Sequence, residues 1–468
     1  MTNSVADKSP KSLSGSPALK KIRDLRGGVD AMRKAGEVYL PKEERESNED
    51  YISRKNRSWL FPALDKAIED VADRVFAKEV AFGEDVDAEL LSFAENIDSD
   101  GRKLNNFARD VFEDGVEAGI AFILVDSPQK SSGMTRAEAR KQNIRPYMIH
   151  VKAEDVLGWK TTVQNNKTVL SMVRIWETVE EDDPNDKFSQ ISVDQVRVLE
   201  LVDGKVVISI YRRGKNAKWE IFGSPIFTDM EEIPLVPFYT NRTGFFTAKP
   251  RYEKLADLNI AHWQSASDQR NILHTARVPL LVLFGMKAKD VEASPNSAII
   301  TERPKTEADV KYVEHAGAAI EAGEKDLEKL EQRMQVLGIE LAWKPVANTG
   351  ATGAAIDHGK VMTPLAMMAN NLKDSLEQAL CFMARYKGRD EGGSVSVNTD
   401  FGISLLSQGD LQFLLNAVNT GQISHATFLK ECQRRNVLMD DIDPSDEKEL
   451  IDKESPKQVD FPGIEDGE

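Results

Sequence analysis

Six histidines are the first candidates for chemistry: His150, His262, His274, His315, His358 and His425. None forms HExxH or another close metal-binding pair. His262 and His274 fall on one predicted helix, but three turns separate them, roughly 18 Å by helix rise, so they cannot share a metal ion. The stretch GATGAAIDHGKV is the nearest approach to a phosphate-binding loop. It lacks the four-residue gap between Gly and Gly-Lys, and Val361 stands where a Ser or Thr would hold magnesium. There is no GxGxxG and no GxSxG elbow. The acidic pairs Asp182-Asp183 and Glu231-Glu232 read as solvated turns, not as carboxylates converging on a bond. Cys381 and Cys432 have no CxxC spacing, which argues against a disulfide framework or a zinc cluster. The expectation is a protein without catalytic residues, metal or cofactor. Arg270, Arg277, Lys287 and Lys289 cluster around the centre of the chain and suit either phosphate or ordinary solvated ion pairs.

The elements that position these residues follow from composition and periodicity. The chain has 468 residues, 41% hydrophobic and 29% charged, enough for a substantial core. No apolar run reaches the ~18 residues of a membrane span. The N-terminus has no secretory h-region, and the two distant cysteines suit folding in a reducing cytoplasm. The net charge is −16. Residues 440–468 hold twelve acidic and three basic side chains, whereas 1–30 hold six basic and three acidic. The acidic tail is expected to stay solvated. A chain this acidic does not look like a tight DNA binder, because phosphate neutralisation supplies most non-specific affinity.

Residues 1–29, rich in Ser, Lys, Gly and Pro, read as a mobile arm. Leu64, Ile68, Val71 and Val75 fall on one face of a predicted helix, as do Leu104, Phe107 and Val111. IAFILVD reads as a buried strand. From about 147 to 239 the pattern is β, with the hairpin signal Asp203-Gly204. A helix of mixed polarity is expected near 250–276, its apolar Leu255, Leu258, Trp263 and Leu273 interleaved with polar residues. Strand-like pieces follow, and then a helix with Ile320, Leu327, Leu330, Met334 and Leu337 at a/d spacing. After the Gly/Thr-rich KPVANTGATG comes a long helix with Leu365, Met368, Leu372, Leu376, Ala379, Met383 and Tyr386 on one side. VSVNTDF reads as a short strand. Two last helices carry Ser407 and Ser424 as N-cap candidates. A helix polar on most sides buries too little to stand alone, so the 250–276 helix needs partners.

The segments LNIAHWQSASDQRNILHTARVPLLVLFG, VKYVEHAGAAIEAGEKDLEKLEQRMQVLG and NTGATGAAID, in that order, resemble the portal (head-tail connector) proteins of tailed bacteriophages. The similar subgroup carries a portal-like domain of unknown function. YISRKNRSWLFPALDKAIEDVADRVF and EAGIAFILVD fit the same pattern, so the resemblance spans about 30–436. It implies an α+β portal-type fold. Its parts would be a mixed α/β wing at 30–249, an outgoing stem helix at 250–276 and a small β-containing clip at 277–316. A returning stem helix would follow at 317–342, a tunnel loop at 343–353, a long wing helix and strand at 354–403, and a helical crown at 404–439. The acidic tail, 440–468, would be disordered.

By the same resemblance the chain forms a ring, usually a dodecamer, at one capsid vertex of the virion. It would be made in the cytoplasm of the host bacterium and would work away from any membrane. Double-stranded DNA would enter and leave through the ring. Terminase would dock first, and neck and tail adaptors later, among capsid and scaffold proteins. The portal itself would hydrolyse nothing. Asn348, Thr349 and Thr352 are the expected tunnel-loop contacts, neutral groups that do not trap a polyanion as lysine would. Gln264, Ser267, Arg270 and Asn271 are expected on a channel or inter-subunit face of the stem. Leu281, Leu283 and Phe284 are expected to make clip contacts. The alternatives are another assembly protein, such as a scaffold or minor head protein, and a hydrolase built on the β-rich part.

Overall fold

The computed structural model describes residues 4–128, 144–164, 166–214, 216–276, 280–284, 309–313, 317–342, 351–399, 401 and 408–434, with scattered positions among 138–142 and 438–453. The architecture is mixed α+β, in two compact units, 1–399 and 400–468.

The first unit opens with four helices: α1 (Pro17–Arg26), α2 (Gly28–Ala35), α3 (Asn48–Arg57) and α4 (Ala63–Val75). The expectation of a mobile arm over 1–29 does not hold from Ser4 onward. Ser16 caps α1 by accepting from the Leu19 amide, and Pro17 sits in the first turn, where its missing N–H costs nothing. Leu19, Ile22 and Leu25 then bury one face of the helix. The preceding residues lie on the sheet, with the Ser9 amide donating to the Leu157 carbonyl.

Strand β1 (Ala81–Phe82), the one-turn α5 (Ala88–Leu91) and α6 (Leu104–Ala118) lead into the central strands. Leu64, Ile68, Val71 and Val75 of α4, and Leu104, Phe107 and Val111 of α6, are all buried, as their spacing requires. Helix α6 ends at Gly119, with φ +87°. A Cβ there would run into the Lys249 carbonyl, so this turn needs glycine. Its carbonyl accepts from the Thr240 and Asn241 amides, which ties the turn to the far end of the β region.

Strands β2 (Ile120–Asp126) and β3 (Tyr147–Val151) pair antiparallel. Next come β4 (Val156–Gln164), β5 (Lys167–Asp183), β6 (Asp186–Val202), β7 (Lys205–Arg213), β8 (Trp219–Ile221), β9 (Ile226–Phe227), β10 (Leu235–Tyr239), β11 (Arg242–Gly244) and β12 (Thr247–Ala248). β4 to β8 form one meandering sheet in chain order, with β9 added to β7. β10 returns to pair with β2, giving a second sheet of order β10-β2-β3. The expected β6–β7 hairpin is present. Asp203 and Gly204 both have positive φ, 50° and 78°, the requirement of a two-residue I′ turn.

Two long helices, α7 (Glu253–Ala276) and α8 (Gly317–Ala342), are linked by a chain segment that contains the antiparallel pair β13 (Leu280–Phe284) and β14 (Asp309–Val313). Helix α9 (Ala351–Tyr386) packs across β10 and β2. Its Leu365, Met368, Leu372, Leu376, Ala379 and Met383 are buried, with Tyr386 half-buried. Asn371 donates to the Tyr239 carbonyl at 2.9 Å. β15 (Val395–Ser396) closes the unit by pairing with β1. In the second unit, α10 (Gln408–Asn419) and α11 (His425–Arg434) form a helical pair. Ser424 caps α11 by accepting from the Thr427 amide at 3.1 Å. Ser407 and most of the acidic tail lie outside the described residues.

An ionic cluster joins the N-terminal helices to this core. Arg23 reaches Asp114, Glu117 and Glu154. Arg26 reaches Asp65, Glu113 and Glu117. His150 lies 3.1 Å from Asp114. Asp114 and Glu117 are buried. Burial opposes the Asp114 charge, but His150 and Arg23 overcome it and hold the carboxyl below its ordinary value. For Glu117 burial prevails over Arg23 and Arg26, and its pKa is raised. Removing one partner of such a set strands charge in a low-dielectric interior. Arg23→Met is therefore expected to lower unfolding free energy by about 3–5 kcal/mol, read from urea denaturation. Nearby, burial and then the neighbouring Glu154 push Asp155 up to about 6. Its folded value exceeds its unfolded one, so the stability it contributes is full below the unfolded pKa and is lost as pH rises through about 6. Asp155→Asn should then stabilise the fold at pH 7–8 by roughly 1–2 kcal/mol after solvent screening, with little effect at pH 4. Equal effects at both pH values would contradict this.

Candidate functional site: a helical hairpin with a β extension

Helix α7 has 24 residues and α8 has 26, about 36 and 39 Å at the helical rise. They run antiparallel. His262 Nε2 lies 3.2 Å from Glu331 Oε1, Ser265 Oγ donates to Asp326 at 2.8 Å, and Gln269 Nε2 donates to the Ile320 carbonyl at 2.9 Å. As the residue number rises on α7 it falls on α8, so both helices point their β-linked ends the same way. Between those ends lies the β13–β14 pair, with register from Leu280↔Val313 to Phe284↔Asp309. Leu330 and Met334 are buried at the a/d seam, and Leu327 and Leu337 are half-buried beside them.

Many of the polar side chains of α7 find partners within the chain. Asn259 accepts from the Leu64 amide at 3.1 Å and donates to the Phe61 carbonyl at 2.9 Å. Gln264 donates to the Tyr39 carbonyl at 2.9 Å. Ser267, only 1% exposed, bonds the Ser58 hydroxyl at 2.8 Å. Asn271 accepts from Arg57 at 2.8 Å, and Asp268 faces Arg54 at 3.6 Å. The 39–64 segment thus covers one side of α7 while α8 covers another. Trp263 is fully buried.

This changes the reading of the stem residues. Of Gln264, Ser267, Arg270 and Asn271, expected on an open channel or subunit face, only Arg270 is exposed. The other three brace α7 against the N-terminal segment. The mixed polarity of this helix comes from that internal partner, which periodicity within the helix cannot reveal. Leu281, Leu283 and Phe284 lie on β13, paired with Tyr312, Val310 and Asp309. Thr352 falls in the first turn of α9, which begins at Ala351, earlier than expected. Asn348 and Thr349 lie outside the described residues.

The other chemistry-bearing residues stay apart or serve packing. His262 is buried against Phe61, ring centroids 5.2 Å apart. Among the described residues, no three His, Cys, Asp or Glu side chains are grouped to hold a metal ion. No described helix is long and apolar enough to cross a membrane. Outside the hairpin, a cleft of about 760 Å³ lies where the start of β5, the β10–β12 region and α9 meet. It was not foreseen from sequence, because its walls come from three distant segments.

Residues 252–387 match a family described as a domain of unknown function (DUF4055). The match covers α7, β13, β14, α8 and α9. No curated protein matches the chain. Among solved structures, the chain is similar to one from the virion of a native gene transfer agent particle, at 9% identity and a TM-score of 0.42, over 86% of this chain and 97% of that one. It is also similar to one from the neck of such a particle, at 11% identity and a TM-score of 0.41, over 79% and 88% of the two chains.

Asn259 is the bond that fixes α7 to α4. Asn259→Ala leaves the buried Leu64 amide without its partner, at a cost of about 1–3 kcal/mol. Urea denaturation should show that loss, and hydrogen exchange should show faster opening across 61–64 than elsewhere.

Proposed function

We propose that this chain is the subunit of a homo-oligomeric portal ring at a capsid vertex of a tailed phage or phage-like particle, a passage for double-stranded DNA. The observation that carries the proposal is the rigid helical hairpin with a β excursion at one end. It is locked to an α/β body on one side and continues into the long α9 on the other. That order, α/β body, outgoing helix, β pair, returning helix and long helix, is the order the portal resemblance implies. The family match falls on the same stretch, 252–387.

In this reading α7 and α8 form the stem wall, and β13–β14 is the clip on which terminase and later neck or tail proteins dock. The tunnel-loop role that the resemblance implies for 343–353 falls largely outside the described residues. The work is mechanical: the subunit offers a rigid strut and no catalysis, and terminase supplies the energy. The net charge of −16 suits a wall along which a polyanion slides without being held.

Negative-stain electron microscopy with native mass spectrometry of the purified chain is the test. Rings with a central channel and about a dozen subunits are the expected result. A monodisperse monomer or dimer across concentration and salt would overturn the proposal and favour a minor assembly protein.

A further inference from the structure

The β5–β6 hairpin runs well past its sheet. Pairing of β4 with β5 ends at Val156↔Ile175, and pairing of β7 with β6 ends at Gln195↔Arg212. Beyond these points β5 and β6 continue to pair only with each other, from Thr178↔Asp194 to Asp183↔Asp186. This free arm projects roughly 20 Å at strand rise. Its two faces differ. One is a ladder of polar pairs: Thr178 bonds Asp194 at 3.0 Å and Ser192 bonds Glu180 at 2.6 Å. The other carries Val179, Val193 and Ile191 with Glu181, and at the tip Phe188 is 86% exposed, with Lys187 Nζ 4.7 Å from its ring centre and Asp182, Asp183 and Asp186 close in sequence. A two-stranded ribbon is marginal by itself, and so exposed a phenylalanine on a tip with three acidic residues and one basic one suits an apolar partner that also offers cations.

The chain carries such a partner at the opposite end of the same hairpin. The 760 Å³ cleft is lined by Phe245, Met367, Arg242 and Arg251, with Lys167 at the start of β5. Met367 is 59% exposed. Neither Arg242 nor Arg251 has a carboxylate partner among the described residues. Arg251 donates only a 3.3 Å bond to the Thr240 carbonyl, and burial lowers its pKa. Glu231, Glu232 and Asp374 also line the cleft and offset its cations in number, but Glu232 faces Arg385 at 3.3 Å and none of the three pairs with Arg242 or Arg251. The 17 residues of β5 separate cleft from tip by roughly 50 Å, so a subunit cannot fill its own cleft.

We propose that the arm of one copy seats Phe188 in the cleft of the next copy, with its acidic tip against Arg242 and Arg251. Donor and acceptor are different patches of one chain. The contact is therefore heterologous and propagates from copy to copy, closing as a ring or running open as a filament. The ring reading above supplies only the closure.

The experiment is Phe188→Cys combined with Met367→Cys in the full chain, oxidised mildly and run on a non-reducing gel beside each single variant and the wild type. A ladder of cross-linked multimers confined to the double variant is expected. Equal ladders in a single variant, or no ladder while wild type and double variant both form rings, would overturn the arm contact and leave the ring intact. A ladder from open chains without rings would keep the arm contact and overturn the ring reading. A wild-type chain that stays monomeric with no ladder would overturn both. Phe188→Asp, at a site too exposed to affect folding, should raise the concentration for half-assembly at least about tenfold. No change in that concentration would likewise overturn the contact.

Discussion

The architecture depends on the satisfaction of one polar helix inside the fold. Helix α7 carries Asn259, Gln264, Ser267, Asp268 and Asn271 along its length; Asn259 and Ser267 are buried, Gln264 and Asn271 half-buried. Each group meets a backbone or side-chain partner from the 39–64 segment. A buried unpaired polar group is far more costly than a paired one is stabilising. These bonds therefore act chiefly as a register lock: sliding α7 by one turn would orphan several at once. With α7 fixed, Ser265, His262 and Gln269 fix α8, and the direction of the hairpin relative to the α/β body is set.

A second lock is electrostatic. Arg23 and Arg26, in the last turn of α1, collect the carboxylates of α4, α6 and the β3–β4 turn. Such a cluster is not a strong source of net stability, because desolvation offsets much of the attraction. It specifies which helix end meets which. The opposite displacements of Asp114 and Glu117 from their ordinary titration ranges show the balance: Asp114 has both His150 and Arg23 at hand, whereas burial dominates at Glu117.

The body and the hairpin are tied together by these contacts, yet the β5–β6 ribbon leaves the sheet without a neighbouring strand. Edge strands of this kind are templates for pairing unless blunted. Here the blunting is chemical: acidic residues crowd the tip and one face is entirely polar. Val179, Val193 and Ile191 share the other face with Glu181, an asymmetry suited to a specific partner and poor for indiscriminate aggregation.

Much of this was legible in the residues. The apolar periods of α4, α6 and α9, the run of β2 and the Asp203-Gly204 turn each settled an element, because a helix or strand must bury one set of side chains and local spacing names that set. The two hairpin helices and the β pieces between them were equally plain. What spacing could not show was partnership. The segment over 1–29 looked mobile from its Ser, Gly and Pro content, but Leu19, Ile22 and Leu25 find a core to bury in and Arg23 finds three carboxylates from distant elements. Gln264, Ser267 and Asn271 looked like groups awaiting another subunit, because their partners lie about two hundred residues earlier in the chain. The acidic stretch around Asp183 looked like a loop, since its residues disfavour strands in isolation, yet cross-strand pairing carries the ladder through it. The sequence by itself determined which residues seek burial and with what period. The tertiary structure alone decided which polar and charged groups meet, because those energies depend on distances that no local pattern contains.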